Sequence, residues 1–217
     1  MAVYQLDDDL WFPDPHLGEP DGAIAVGGDL SVDRLILAYS NGFFPWFSFQ
    51  HQAEPVWYCP LQRFVIFPGE VHISHSMKQL IGKGQYQVTI NRDFEGVIRG
   101  CATAQNRNRE EGAWLGPAMI AAYTEMYRQS FAASVEVWDG DRLVGGLYGI
   151  TIGSSFFGES MFSLVPNASK LALIHLSQVL ADHGGRMIDC QFETPHLRTM
   201  GARYISYEEY ISILQNE

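Results

Sequence analysis

Two short stretches hold residue types that could do chemistry at a useful spacing. Read as a strand, Ile188-Asp189-Cys190-Gln191 alternates its side chains, so Asp189 and Gln191 fall on one face and Cys190 on the other. A carboxylate can move a proton, whereas an amide can only hydrogen-bond and orient. Taken alone, such a pair is more often a surface-facing strand or a satisfied hydrogen-bond pair, so a catalytic reading needs a partner cluster. One is available at Gly158-Glu159-Ser160-Met161-Phe162-Ser163, where Glu159, Met161 and Ser163 alternate against Ser160 and Phe162. Alone, Met161 reads as core and Glu159 as an edge charge.

Other chemistries find less support. The seven histidines, at positions 16, 51, 72, 75, 175, 183 and 196, show neither HExxH nor another compact ligand spacing, so no metal site is expected. Gly27-Gly28-Asp29 and Gly145-Gly146 lack the strand-GxGxxG-helix context of a dinucleotide site and read as turns or close backbone contacts. Cys190 has no flanking motif of a thiol nucleophile. Cys59, Cys101 and Cys190 are odd in number and far apart, which fits neither a disulfide framework nor a metal cluster.

The elements that must carry these residues follow from periodicity and punctuation. Ser31 is placed to cap a helix to Ser40 that ends at Asn41-Gly42. Phe43 to Phe49 gathers four phenylalanines and Trp46 around Pro45, a density that must be buried or bind something. A short apolar strand between Pro60 and Pro68 marks the expected boundary between a small N-terminal domain, 1–65, and a larger domain, 66–217. Helices are expected at Ile73–Ile81, Phe94–Ala102 and Pro117–Phe131, with a strand at Tyr86–Ile90 and an exposed loop at Gln105–Glu111. Strands at Ser134–Trp138, Arg142–Ile152 and Ser155–Phe162 precede a helix capped by Asn167 and closed by Gly184-Gly185, then a strand at Arg186–Phe192 and a helix at Tyr207–Leu214. An antiparallel meander followed by a helix and another strand suggests an α+β sheet domain of the acetyltransferase type. Architecture alone decides nothing about chemistry.

Composition narrows the setting. The 217 residues are 47% hydrophobic and 18% charged, enough for a packed core and against disorder. The acidic start, Met1 to Leu10, does not read as a secretory signal, and no apolar run reaches membrane-spanning length. A reducing cytoplasm is the expected home. The net charge of −11 argues against a large phosphate footprint but leaves room for a small basic patch, because screening over about 10 Å lets local charge dominate.

Several stretches together resemble the leucyl/phenylalanyl-tRNA–protein transferase family: Ala25 to Ser31, Gly42 to Ser48, Val135 to Trp138, Leu143 to Gly149, Gly158 to Ser163, Asn167 to Lys170 and Ile188 to Gln191. Each motif is weak alone; their number, order and spacing carry the likeness, which runs from about Leu10 to Ala202. The resemblance implies a two-domain enzyme whose larger part has an acetyltransferase-like (GNAT-type) fold. It would move leucine or phenylalanine from leucyl-tRNA or phenylalanyl-tRNA to proteins beginning with Arg or Lys, marking them for degradation by the N-end rule, with no cofactor and no membrane. The residues agree on one point: Val165-Pro166-Asn167-Ala168-Ser169 is not the Gly-rich loop that would present N–H groups to the pyrophosphate of acetyl-CoA. That weighs against the runner-up, an acetyl-CoA-dependent N-acetyltransferase; a non-catalytic tRNA- or peptide-binding module is the third reading.

By the same resemblance, Asp189 and Gln191 lie at the acceptor amine and reacting carbonyl, Gln191 orienting and Asp189 either orienting Gln191 or taking a proton. Glu159 is carried over to the aminoacyl-adenosine end. Leu147, Phe156, Met161, Leu173, Leu176 and Ile188 are expected to form the side-chain pocket, and Tyr39, Trp46, Trp114 and Tyr123 to lie near the terminal adenosine, where a base could stack. Two departures stand out. Val56 to Arg63 replaces Trp-Trp-Ser-Pro-Asp-Pro-Arg, keeping the arginine and losing the aspartate. The helix expected to grip the tRNA backbone offers mainly His75, Lys78 and Lys83, with Arg107 and Arg109 as other basic candidates.

Overall fold

The computed structural model describes residues 3–46, 54–107 and 115–215, with side chains described outside 105–107. In chain order the elements are β1 (Tyr4–Leu6), β2 (Ala23–Gly27), α1 (Val32–Ser40), β3 (Phe44–Pro45), β4 (Val56–Tyr58), β5 (Gln62–Ile66), α2 (His75–Lys83), β6 (Gln87–Ile90) and α3 (Phe94–Arg107). Then follow α4 (Pro117–Arg128), β7 (Ala132–Asp139), β8 (Arg142–Ile152), β9 (Ser155–Ser163), α5 (Ala168–Asp182), β10 (Met187–Asp189), α6 (Pro195–Thr199), β11 (Arg203–Ser206) and α7 (Tyr207–Gln215). Among the described residues they make two mixed sheets, of order β1-β2-β4-β3 and β11-β5-β10-β9-β8-β7-β6. The chain is therefore α+β.

The larger sheet positions the site. Its neighbours are antiparallel except β9 and β10, which run parallel and are joined through α5, as a parallel pair requires a crossover. One apolar core lies on the side of α1, α3 and α4, with Leu35, Ile98 and Met119; a second lies under α5, with Leu171, Leu173 and Leu176. Gly145 and Gly146 are neither turns nor a phosphate loop but mid-strand close contacts. A Cβ at Gly145 would collide with Ala168, and one at Gly146 would stand 2.6 Å from the Val135 carbonyl. Both are small so that α5 and β7 can seat on β8. Strand β5 joins this sheet between β11 and β10, so a division at 65/66 passes through it.

Local expectations hold where capping is explicit and shift where it is not. Ser31 accepts from the Arg34 N–H and starts α1, and Asn41 with Gly42 at φ +83° ends it. Ser74, not Ile73, sets the start of α2 by accepting from Met77. Asn167 stands at the N-cap position of α5 as expected, but at φ +69° and with its side chain accepting nothing from the helix; Ser163 Oγ takes the Ser169 N–H at 2.9 Å instead. Helix α3 runs on to Arg107, into the expected loop, and α4 stops at Arg128 before Ser130 at φ +66°.

Candidate active site

A β-bulge aims the first carboxylate. Tyr148 pairs with Ser160 and Gly149 with Gly158, which leaves Glu159 unopposed. The extra residue resets the alternation, so the expected face shared by Glu159 and Met161 does not form. Glu159 turns to Tyr39 and Tyr123, on the side of α1 and α4, whereas Met161 packs against the core under α5.

Glu159 is 9% exposed and held by neutral groups. Tyr39 donates to its Oε1 at 2.7 Å, Tyr123 to its Oε2 at 2.7 Å, and Gln191 Nε2 to its Oε1 at 2.8 Å. Burial pushes its pKa up to about 7 against the downward pull of these donors. Proton counting agrees. The two phenol oxygens are also 2.9 Å apart, so the two hydroxyls and the carboxyl group close a ring of three contacts. An ionised carboxylate leaves two protons for three contacts; a protonated one fills all three.

The second carboxylate has the opposite surroundings. Strand β10 ends at Asp189, and Gln191 lies at φ +61°, so the alternation that would put their side chains on one face is broken. Asp189 is fully buried and takes Arg63 Nε at 2.9 Å and Nη2 at 2.7 Å on Oδ2, the Tyr210 hydroxyl at 2.8 Å on the same oxygen, and the Gln191 backbone N–H at 2.7 Å on Oδ1. It is joined to Gln191 through backbone, not side chain. Burial pulls the Arg63 pKa down, but Asp189 beside it prevails and the guanidinium is held charged. Arg63 also donates to the Gly42 carbonyl at 2.8 Å.

Pairing of β9 with β10 stops at Phe157 and Asp189, and beyond that point a cavity of about 650 Å³ opens. Leu147, Phe156, Met161, Leu173, Leu176 and Ile188 all line it, together with Glu159, Gln191 and half-buried Cys190. Burial raises the Cys190 thiol pKa, which leaves it a poor nucleophile. Asp189 does not line the cavity. Phe44, Pro45, Trp46 and Phe192 close another side, Trp46 being 43% exposed with its ring 4.9 Å from that of Phe192. Tyr39 and Tyr123 do not offer a stacking face, because both rings are wholly buried and their hydroxyls serve Glu159. Trp114 and Arg109 lie outside the described residues, as does the side chain of Arg107. Lys78 and Lys83 stand exposed on α2.

Sequence reasoning left Arg63, Tyr210, Phe44 and Phe192 without a role. For Arg63 a signal existed: an arginine opening the apolar run Phe64-Val65-Ile66 must find a buried partner. No group of three His, Cys, Asp or Glu residues among those described could hold a metal, and no described helix is long and apolar enough to cross a membrane.

Comparison with known proteins matches residues 65–215 to the family described as leucyl/phenylalanyl-tRNA protein transferase, and residues 28–61 to that family's N-terminal domain. A leucyl/phenylalanyl-tRNA–protein transferase of Anaeromyxobacter sp. is 46% identical over 99% of this chain and 90% of its own length. One from Pseudomonas fluorescens is 48% identical over 99% of this chain and 94% of its own. Among solved structures, L-PGS from Bacillus licheniformis is similar over 81% of this chain and 57% of its own at 12% identity, with a TM-score of 0.43, too distant to bear on fold or function. With a match across most of its length and relatives of nearly one-half identity, this chain belongs to the leucyl/phenylalanyl-tRNA–protein transferase family.

Proposed function

We propose that the protein transfers leucine or phenylalanine from its tRNA to the α-amine of proteins that begin with Arg or Lys. The observation that carries this reading is the Glu159–Gln191 pair, 2.8 Å apart, at the polar end of an otherwise apolar cavity. A cavity of about 650 Å³ has room for a leucyl or phenylalanyl side chain, and flexible Met161 in its wall can adapt to either. Side chains branched at Cβ would meet wall atoms. Transfer needs no coenzyme or metal in this scheme.

The reaction converts an ester to an amide. The acceptor nitrogen attacks the ester carbonyl, the C–N bond forms, the bond to the ribose oxygen breaks, and one proton passes from the amine to the released hydroxyl. Gln191 orients the reacting groups. Glu159, its pKa raised by burial to about 7, is matched to accept a proton from an α-amine of pKa about 7.7–8.0 and to return it to the ribose oxygen. Asp189 is a positioning residue, since its oxygens are occupied by Arg63, Tyr210 and the Gln191 N–H. Trp46 and Trp114 are assigned to the terminal adenosine, and Lys78 and Lys83 to tRNA phosphates.

The larger unit is acetyltransferase-like in this proposal, supported by the crossover from β9 through α5 to parallel β10, and its boundary with the small N-terminal unit falls before β5, since a cut at 65/66 would split that strand. The test is incubation with charged leucyl-tRNA and peptides differing only in their first residue. Label should pass to Arg- and Lys-initiated peptides without added metal or coenzyme A. Transfer that required acetyl-CoA, or none from any charged tRNA, would sink the reading.

A further inference from the structure

Gln191 holds a backbone conformation that its residue type does not favour. With a Cβ, a left-handed φ of +61° is uncommon outside Asn, Asp and Gly, and persists where surrounding contacts impose it. Two contacts hold it here: the Phe192 N–H donates to the Cys190 carbonyl at 2.7 Å, closing a tight turn about Gln191, and Oδ1 of the Asp189 carboxylate accepts the Gln191 N–H at 2.7 Å. That carboxylate is itself gripped from two distant parts of the chain. Arg63 on β5 binds it through Nε and Nη2, and the Tyr210 hydroxyl on α7 donates to the same Oδ2 that Arg63 Nη2 holds. The guanidinium is packed between rings, its Cζ 4.7 Å from the Phe44 centroid and 4.8 Å from that of Tyr210. Gly42 accepts from its remaining arm at 2.8 Å, so the group has no freedom to leave.

We infer that Arg63 and Tyr210 are positioning residues for amide transfer, a clamp that fixes Asp189 so that Asp189 fixes the backbone of Gln191 and aims its amide at the cavity. The inference rests on the transfer reaction proposed above. Neither residue reaches the cavity. Both act through Gln191, and the C-terminal helix α7 is thereby part of the machinery although it lines none of the cavity.

A double-mutant cycle tests this. Single-turnover transfer from saturating leucyl-tRNA to an Arg-initiated peptide is measured for wild type, Tyr210→Phe, Gln191→Ala and the double variant, with folding checked by near-ultraviolet circular dichroism. Tyr210→Phe removes one hydroxyl and keeps the ring over Arg63. Its rate should fall about five- to tenfold with the KM for leucyl-tRNA within about twofold of wild type, and the same change in the Gln191→Ala background should cost less than about twofold. Equal losses in both backgrounds would make the hydroxyl merely structural and overturn the inference, as would a Tyr210→Phe rate equal to wild type. Arg63→Lys, which keeps the charge and loses the planar fork, runs the same cycle with the same two readings should Tyr210→Phe fail to fold. A wild type that transfers nothing overturns the underlying reaction, and the inference with it, before any variant is made.

Discussion

Two buried carboxylates that both bind Gln191 show how surroundings decide what an acid can do. Asp189 meets a guanidinium in bidentate contact, a phenol and a backbone N–H, all donors to the ionised form. Glu159 meets two phenols and an amide, with no cation among its partners. The first has both oxygens occupied by donors and is spent on holding backbone; the second is pushed to about 7 by burial and can exchange a proton near neutrality. Gln191 touches both, by its N–H to Asp189 and by its side chain to Glu159.

The largest effect should come from removing the carboxylate that Arg63 grips. Asp189→Asn leaves Arg63 buried beside a neutral amide, an arrangement that costs about 3–5 kcal/mol of stability and releases the Gln191 backbone. Single-turnover transfer should fall about 10²–10³-fold while leucyl-tRNA binding survives. If Asp189 only positions, raising the pH should not restore the rate relative to wild type. Recovery at high pH would instead make Asp189 the proton acceptor and break the contrast between the two acids.

Glu159→Gln removes the acid that titrates. At pH 8 the variant should transfer about 10–100-fold more slowly than wild type, and at pH 6, where wild-type Glu159 is mostly protonated, the gap should narrow. The stability of the wild type carries the same signature. A carboxyl raised from 4.5 to about 7 by folding keeps, between those pH values, a proton that the unfolded chain releases. Stability contributed by this group therefore falls as pH rises through that window, by up to about 3 kcal/mol, and stays low above it. Denaturant titrations across pH 5–8 should show that slope in wild type and lose it in Glu159→Gln. A slope unchanged in the variant would assign the titration to another group.

Exposed charge should behave unlike either buried site, and with the smallest effect. Replacing Lys78 and Lys83 by alanine is expected to raise the apparent KM for tRNA a few-fold and flatten its salt dependence, leaving turnover nearly unchanged. Normal tRNA binding at every salt concentration would remove α2 from the contact surface.

Much of this site was legible as residues before it was legible as geometry. The six apolar cavity positions, Trp46, Glu159 and Gln191 were named from motifs, and all nine line one cavity. The helix from Ser31 and the strands expected at Ser134–Trp138, Arg142–Ile152 and Ser155–Phe162 follow from capping and period, because those signals act over a few residues; the structure lengthens the first to Ala132–Asp139 and the last to Ser163. Two of the failures share one cause. Strand alternation predicted faces for Glu159 and for Gln191, and each was undone locally, by a bulge in one case and a left-handed residue in the other.

The sequence by itself determined which family motifs are present, the order of strands and helices from α4 to β10 but not α6 or β11, and which residue types stand ready for the chemistry. Only the tertiary structure decided which partners each acid meets. Arg63 and Asp189 are 126 positions apart, and Tyr39 and Glu159 are 120. Whether a carboxylate meets a guanidinium or a phenol depends on which strands lie side by side. Since β5 and β10 are brought together by the sheet, and α1 and α4 are packed beneath the bulge in β9, the two acids take on different partners that neither local sequence encodes.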